Sequence, residues 1–404
     1  MIGLGAIIGA GIFVATGVAA ASAGALLPLA ILLAGIPAVF NGLSAAANAV
    51  ALPRSGGTYL FARELISPFF GFIAGWLFIF AFIVGDTAIA LGFGAYVNAA
   101  IPVLPARLAG LAFVVLVTGI NYVGLAVVTE VNNLLTVMKV GVLVFFIAFG
   151  AIIVLGGTAP SVVSSRVEFG GVISAAALLF FAYPGYARVA TLAEEVSDPR
   201  TTIPRAVILA LGIATVLYVL TTLIAVLLAG PSALANSAAP LAAAVRVATG
   251  GWPVVVVALG GVIATSSVLV VDVAAFSRVI LAMARYGDLP GWFSEVNRRF
   301  ATPGRAVLAA GVTIGVLVLT GDLTALIAAG SFGPLLYYAI TNVAALRLQP
   351  SDRPPIIVPI LGAASCLALS LFLPSSTIVV GLLIVGAGAL AYGLRVLLAR
   401  RVRR

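Results

Sequence analysis

Two stretches of this sequence place glycine and proline where a membrane-crossing helix would avoid them, and both would free main-chain groups able to bind a ligand. The first reads GLGAIIGAGIF, with Gly3, Gly5, Gly9 and Gly11, and the second reads LLFFAYPGYARVATLAEEV, with Pro184 and Gly185 at its centre. If the first helix unwinds around Ile8, Gly9, Ala10 and Gly11, the N–H groups that open its outer half can hold a carboxylate, helped by the positive end of the helix dipole. Glycine suits those positions because the ligand must approach the main chain closely. If the second helix stops at Pro184 and restarts after Gly185, the carbonyls of Phe181, Ala182 and Pro184 lose their intrahelical donors and are free to accept from an ammonium. A carboxylate site beside an ammonium site describes an α-amino acid. Each stretch alone has a plainer reading: Gly5 and Gly9 as a small-xxx-small packing face, Pro184 as a simple kink. Five spans separate the two, however, the period of a five-helix inverted repeat, and matched interruptions in two halves point to a transporter site at mid-membrane.

Few ionisable groups lie inside apolar sequence. Asp86 falls about fifteen residues into the third apolar run, near mid-membrane, where an acid is costly. Two roles are open to it: contact with a cationic substrate side chain, or an ion pair with Arg188, one turn below the second interruption. Lys139 is the only lysine in the chain and lies about six residues, roughly 9 Å, into the fifth run. A lysine at that depth can snorkel to the interface. It can also titrate, as arginine cannot, and Thr265, Ser266 and Ser267 of the eighth run fall at a similar height, where they could face its ammonium. Asp272 and Arg278 suit interfacial or gating charges, and Glu194, Glu195 and Asp198 a solvated face. Among the aromatics near the second interruption, Phe180, Tyr183 and Tyr186 are expected to pack and Phe181 to be a gate candidate.

The elements that must position these residues follow from composition. Of 404 residues, 63% are apolar and 8% charged, against about 25% charged in a soluble domain, so no water-solvated surface can be built. Apolar runs bounded by charge, Gly or Pro lie near 1–20, 26–49, 69–96, 106–121, 134–155, 171–194, 205–229, 252–276, 306–320, 323–346, 355–373 and 376–398. The expected fold is an all-α polytopic membrane protein of about 12 transmembrane helices. If the loops alternate sides, seventeen arginines gather on one side against Arg107, Arg166 and Arg246 on the other. The positive-inside rule then puts the C-terminus in the cytoplasm. The net charge of +9 is thereby explained by topology rather than by nucleic-acid binding. The chain has no histidine and a single cysteine, Cys366, which removes His-based catalysis, Cys/His metal clusters and disulfides; no enzyme, metal or cofactor is expected. Met1 leads at once into an apolar, Gly-rich run with no basic flank, so the sequence is expected to begin inside its first helix, as a truncated chain would.

Four motifs carry a family resemblance: GAIIGAGIF at the start, PRSGGTYLFARE at 53–64, FFAYPGYARVATLAEEVSDPRTTIPRA at 180–206 and SRVILAMARYGDLPGWFSEVNRRFATPGRA at 277–306. At these residues the sequence resembles the amino acid-polyamine-organocation (APC) transporter family, particularly its cationic amino acid transporter branch, over essentially the whole chain. The resemblance implies a LeuT-like 5+5 inverted repeat with discontinuous helices 1 and 6. Residues 1–404 would form one transporter domain, with repeat one about 1–155, repeat two about 171–346 and two extra helices about 355–398. Spans one, two, six and seven would move against a scaffold of three, four, eight and nine. It also implies that Lys139 occupies the place of a sodium ion between spans one and eight, as in proton-coupled members. Two departures from the family are expected: its cytoplasmic N-terminal segment and inner half of helix 1 would be largely missing, and Arg188 falls where the family often has a small residue. The expected function is a secondary active amino acid permease of the plasma membrane, proton-coupled or exchanging, with amino acid, protons and lipid as its partners. The alternatives are a non-transporting amino acid sensor and an inactive truncated remnant.

Overall fold

In a bilayer the backbone must satisfy its own hydrogen bonds, which leaves helices or closed barrels. Every regular element among the described residues of the computed structural model, 5, 7–53, 56–124, 129–157, 168–186 and 198–402, is helical. The α-helices are α1 (Gly11–Ala23), α2 (Leu27–Ala51), α3 (Gly57–Leu65), α4 (Pro68–Ala100), α5 (Ala106–Tyr122), α6 (Thr129–Leu155), α7 (Phe169–Leu179), α8 (Pro199–Ala235), α9 (Pro240–Ala248), α10 (Trp252–Arg285), α11 (Gly304–Thr320), α12 (Leu323–Leu346), α13 (Ile357–Ser370) and α14 (Ser375–Val402). Each of the twelve apolar runs holds helix. Eight stretches among the described residues are long and apolar enough to cross a membrane, and one of these, Gly11–Ala51, holds two helices, α1 and α2. The chain turns between them at Gly24, whose φ of 53° and ψ of −131° suit glycine. Helices α5, α11 and α13 are apolar but shorter.

The elements depart from the sequence expectation in an extended end, an internal break and two added short helices. Helix α10 runs on to Arg285, nine residues past the expected end at 276, because its last turns are amphipathic: Ile280 and Met283 are buried while Arg278 and Arg285 are exposed. Helix α8 carries a break at Gly230 (φ 73°, ψ 162°), just before Pro231. The short helices α3 and α9 fall in segments expected to be loops.

The core is built around α4, which packs on α10, α12, α5 and α3, and around the pairing of α8 with α2. Helices α1 and α7 lie antiparallel at very short range. A Cβ added to Gly11 would collide with the Ala182 backbone just past α7, and one added to Gly171 would collide with the Ser22 carbonyl. Arg107 at the start of α5 donates to the carbonyls of Val318 and Gly321, 3.0 Å each, and so caps the end of α11. Cys366 of α13 is buried, its sulfur 3.1 Å from the Asn41 amide of α2, which in turn accepts from Asn342 of α12 at 2.6 Å. The outer surface is apolar, with Leu209, Ile152, Leu383 and Leu390 all more than two-thirds exposed; such a surface suits hydrocarbon rather than water.

Candidate functional site

Among the described residues, both stretches leave α-helical geometry where the glycines and the proline fall. Residues 8–10 lie outside any helix, and α1 begins at Gly11. Its first intrahelical donors are Phe13 and Val14, both bonded to the Ala10 carbonyl, so the N–H groups of Gly11 and Ile12 precede the helical ladder. At the other interruption α7 ends at Leu179 and passes into two 3-10 turns, Phe180–Ala182 and Pro184–Tyr186. Positions 187–197, among them Arg188, Glu194 and Glu195, lie outside the described residues. The glycines of the first stretch also pack closely, but against other helices. A Cβ on Gly5 would meet Thr136 of α6, and one on Gly9 would lie 3.0 Å from Val268 of α10. Gly11, by contrast, faces Ala182, so the two interruptions touch main chain to main chain.

One feature of the second interruption corrects the expectation of free carbonyls. Tyr218 of α8 places its hydroxyl 3.2 Å from the Ala182 carbonyl, and Tyr338 of α12 donates to the Pro184 carbonyl at 3.0 Å. A buried carbonyl in a dry site draws the nearest phenol, yet each oxygen retains a second lone pair. Phe181 is half-buried; its ring lies over Gly85 of α4 and Gly330 of α12, where an added Cβ would come within 3.5 and 2.8 Å of it. Gly185, in the second 3-10 turn, is also half-buried. Asp86 follows Gly85 directly and is 2% exposed, which brings a buried acid within a turn of the Phe181 ring.

Lys139 is 1% exposed, so it does not snorkel to water in this conformation. Its ammonium donates to the Gly5 carbonyl at 3.0 Å, tying α6 to the residues preceding the first interruption. Helices α6 and α10 run antiparallel, with Trp252 against Phe145 and Phe149 and Gly260 against Val142. This register puts Thr265 within about a turn of Lys139. The Thr265 hydroxyl donates back to Gly261 or Val262, and the Ser267 hydroxyl to Ala264. Ser266 is half-buried beside them. Asp272 is buried further along α10.

A second charged cluster, at the arginine-rich end, has no counterpart among the sequence expectations. Asp288, its side chain fully buried, accepts from the Tyr59 hydroxyl at 2.6 Å, from Arg63 at 2.8 Å and from Arg395. Burial pushes the Tyr59 phenol above its ordinary range, against the opposing pull of Arg63 and Arg395, which keeps it a donor at neutral pH. Arg63 also lies 4.8 Å over the Tyr286 ring. Tyr218 and Tyr338 were missed as well, although a tyrosine in mid-span is itself a signal, since its hydroxyl must find a partner.

Comparison with known proteins points the same way. A family model described as "Amino acid permease" matches residues 1–395. An uncharacterized transporter of Mycobacterium tuberculosis is 39% identical over all of this chain and 91% of its own length. A methylthioribose transporter of Bacillus subtilis is 30% identical, covering 97% of this chain and 90% of the relative. A vacuolar cationic amino acid transporter of Arabidopsis thaliana is 31% identical over 88% of this chain and 60% of the relative. The protein is therefore a multi-pass membrane transporter of amino acids or related substrates, not an enzyme, and the chain belongs to the amino acid permease family.

Proposed function

We propose that the protein carries α-amino acids across the plasma membrane by alternating access, holding the α-carboxylate at Ile8, Gly9, Ala10 and Gly11 and the α-ammonium at the carbonyls of Phe181, Ala182 and Pro184. The observation that carries this reading is the contact between the two interruptions, Gly11 against Ala182, which sets N–H groups outside the helical ladder beside carbonyls with a spare lone pair. Such a pair fits a zwitterion better than a neutral sugar. A cavity of about 540 Å³ at the arginine-poor end, lined by Ala20, Ser22, Gly24, Glu168, Gly171 and Ser232, supplies an approach; Ala20 is about 13 Å along α1 from Gly11. Lys139 is the coupling cation in this reading, and Asp86 sets side-chain preference. Twelve spans in two inverted five-helix repeats plus two helices, with the C-terminus cytoplasmic, complete the architecture.

The test is uptake into proteoliposomes holding the purified full chain, with L-leucine, L-lysine and methylthioribose offered separately. Accumulation of an amino acid, competed by other α-amino acids and not by the corresponding decarboxylated amines, is expected. Equal competition by isopentylamine and leucine, or by cadaverine and lysine, would remove the carboxylate site. Binding without accumulation would favour an amino acid sensor.

A further inference from the structure

The hydroxyl of Tyr218 reaches both interruptions at once. It lies 2.8 Å from the Ile7 carbonyl, at the edge of the first, and 3.2 Å from the Ala182 carbonyl, inside the second. Its residue is fully buried and belongs to α8, which is part of neither broken helix. A phenol has one hydrogen, and here it lies within reach of both carbonyls as a three-centre bond, so a single donor links the two segments. The ring is itself held in place: Tyr183 packs edge-on against it, centroids 5.5 Å apart at 72°, while the Tyr183 hydroxyl donates to the Ile31 carbonyl of α2 at 3.0 Å.

Two restraints therefore act on the gap between the segments. The main-chain contact of Gly11 with Ala182 sets how near they can come, since even a Cβ on Gly11 has no room. The shared hydroxyl limits how far they can part, because separation would strand one buried carbonyl without a donor. We propose that Tyr218 fixes the spacing between the carboxylate-binding and ammonium-binding halves of the site and thereby selects α-amino acids over β-amino acids. The proposal rests on the main-chain reading of the site. A β-amino acid carries its amine one carbon further from the carboxylate, about 1.5 Å. A site whose halves could drift by that much would take both. Tyr218 touches no substrate group in this scheme; it is a positioning residue.

The experiment measures affinities of the purified full chain for L-leucine and β-leucine, and for L-lysine and β-lysine, by competition, in wild type and in Tyr218→Phe. The phenylalanine keeps the ring against Tyr183 and deletes only the hydroxyl. The preference for the α form is expected to fall about fivefold, the worth of one hydrogen bond. The ratio of L-leucine to L-lysine affinity, which compares two ligands of the same carboxylate-to-amine spacing, should stay within twofold. A general loosening of the fold would weaken every ligand alike and leave the α-to-β ratio where it was; an unchanged ratio in a variant of native thermal stability overturns the proposal. If Tyr218→Phe does not fold, 3-fluorotyrosine at position 218, nearly the same shape and a stronger donor, decides the matter: the ratio should rise about twofold, and no change overturns the proposal. Failure of the underlying reading is visible separately, in wild type alone, as amines competing as well as amino acids; that result would overturn this proposal with it.

Discussion

Lys139 and Asp86 are costly residues for an apolar core, and each is expected to reveal its role through a single substitution. The ammonium of Lys139 sits on the Gly5 carbonyl, just before the first interruption, so its charge is in position to hold that segment against α6. Lys139→Ala is expected to abolish accumulation driven by a pH gradient in proteoliposomes, and Lys139→Arg not to restore it, since a guanidinium does not cycle its proton. Full pH-dependent uptake by Lys139→Ala would leave the lysine a packing cation. Asp86, buried and next in sequence to the Gly85 that the Phe181 ring covers, gives the second test: Asp86→Asn should weaken transport of lysine at least tenfold while leaving leucine within twofold, if the carboxylate contacts the substrate. Loss of both substrates alike would point instead to pairing with Arg188. These residues were legible because type and depth alone mark them. Tyr218 and Tyr338 were not singled out, since what matters in them is an acceptor 36 and 154 residues away, and local spacing carries no trace of that partner.

At the scale of elements, the apolar runs disclosed nearly every long helix, and glycine and proline disclosed the interruptions, because both depend on local chemistry. Helix α3 was hidden for the opposite reason. Its nine residues are too few to be stable alone, and they are ordered by contacts made far away. Thr58 shares a 2.7 Å hydrogen bond with the Thr341 hydroxyl of α12, its N–H donates to the Tyr337 hydroxyl at 3.1 Å, and Tyr59 and Arg63 converge on Asp288. Arg395 of α14 closes the group from the other side. The segment after span two, the loop after α10 and the final helix therefore meet on a single carboxylate. Asp288→Asn should lower the thermal stability of the detergent-solubilised protein by about 2 kcal/mol, less than for a wholly buried ion pair because both arginines are partly exposed. Tyr59→Phe should cost about 1 kcal/mol, one hydrogen bond. A neutral Asp288→Asn would show that the two arginines separate into solvent without penalty.

For the whole molecule, the uneven distribution of arginine predicts which way the bundle faces. A C-terminal green fluorescent protein fusion should fluoresce in a bacterial host, and a C-terminal alkaline phosphatase fusion should stay inactive; the reverse pair of results would invert the orientation. The all-helical, membrane-spanning class was legible, because a chain with 8% charged residues has no other solvent to fold in. The packing order of the helices was not, since α4 with α10 and α8 with α2 are chosen by shape along faces that are all apolar. The burial of Cys366 between Asn41 and its own helix has a further consequence. Toward a water-soluble maleimide the native chain should behave as though it contained no thiol. A spectroscopic label at Val103, which is 91% exposed, or at Glu168 beside the arginine-poor cavity, would then need only one added cysteine and no removal of the native one. The opening and closing of this transporter could thus be followed with every hydrogen bond of its core left in place.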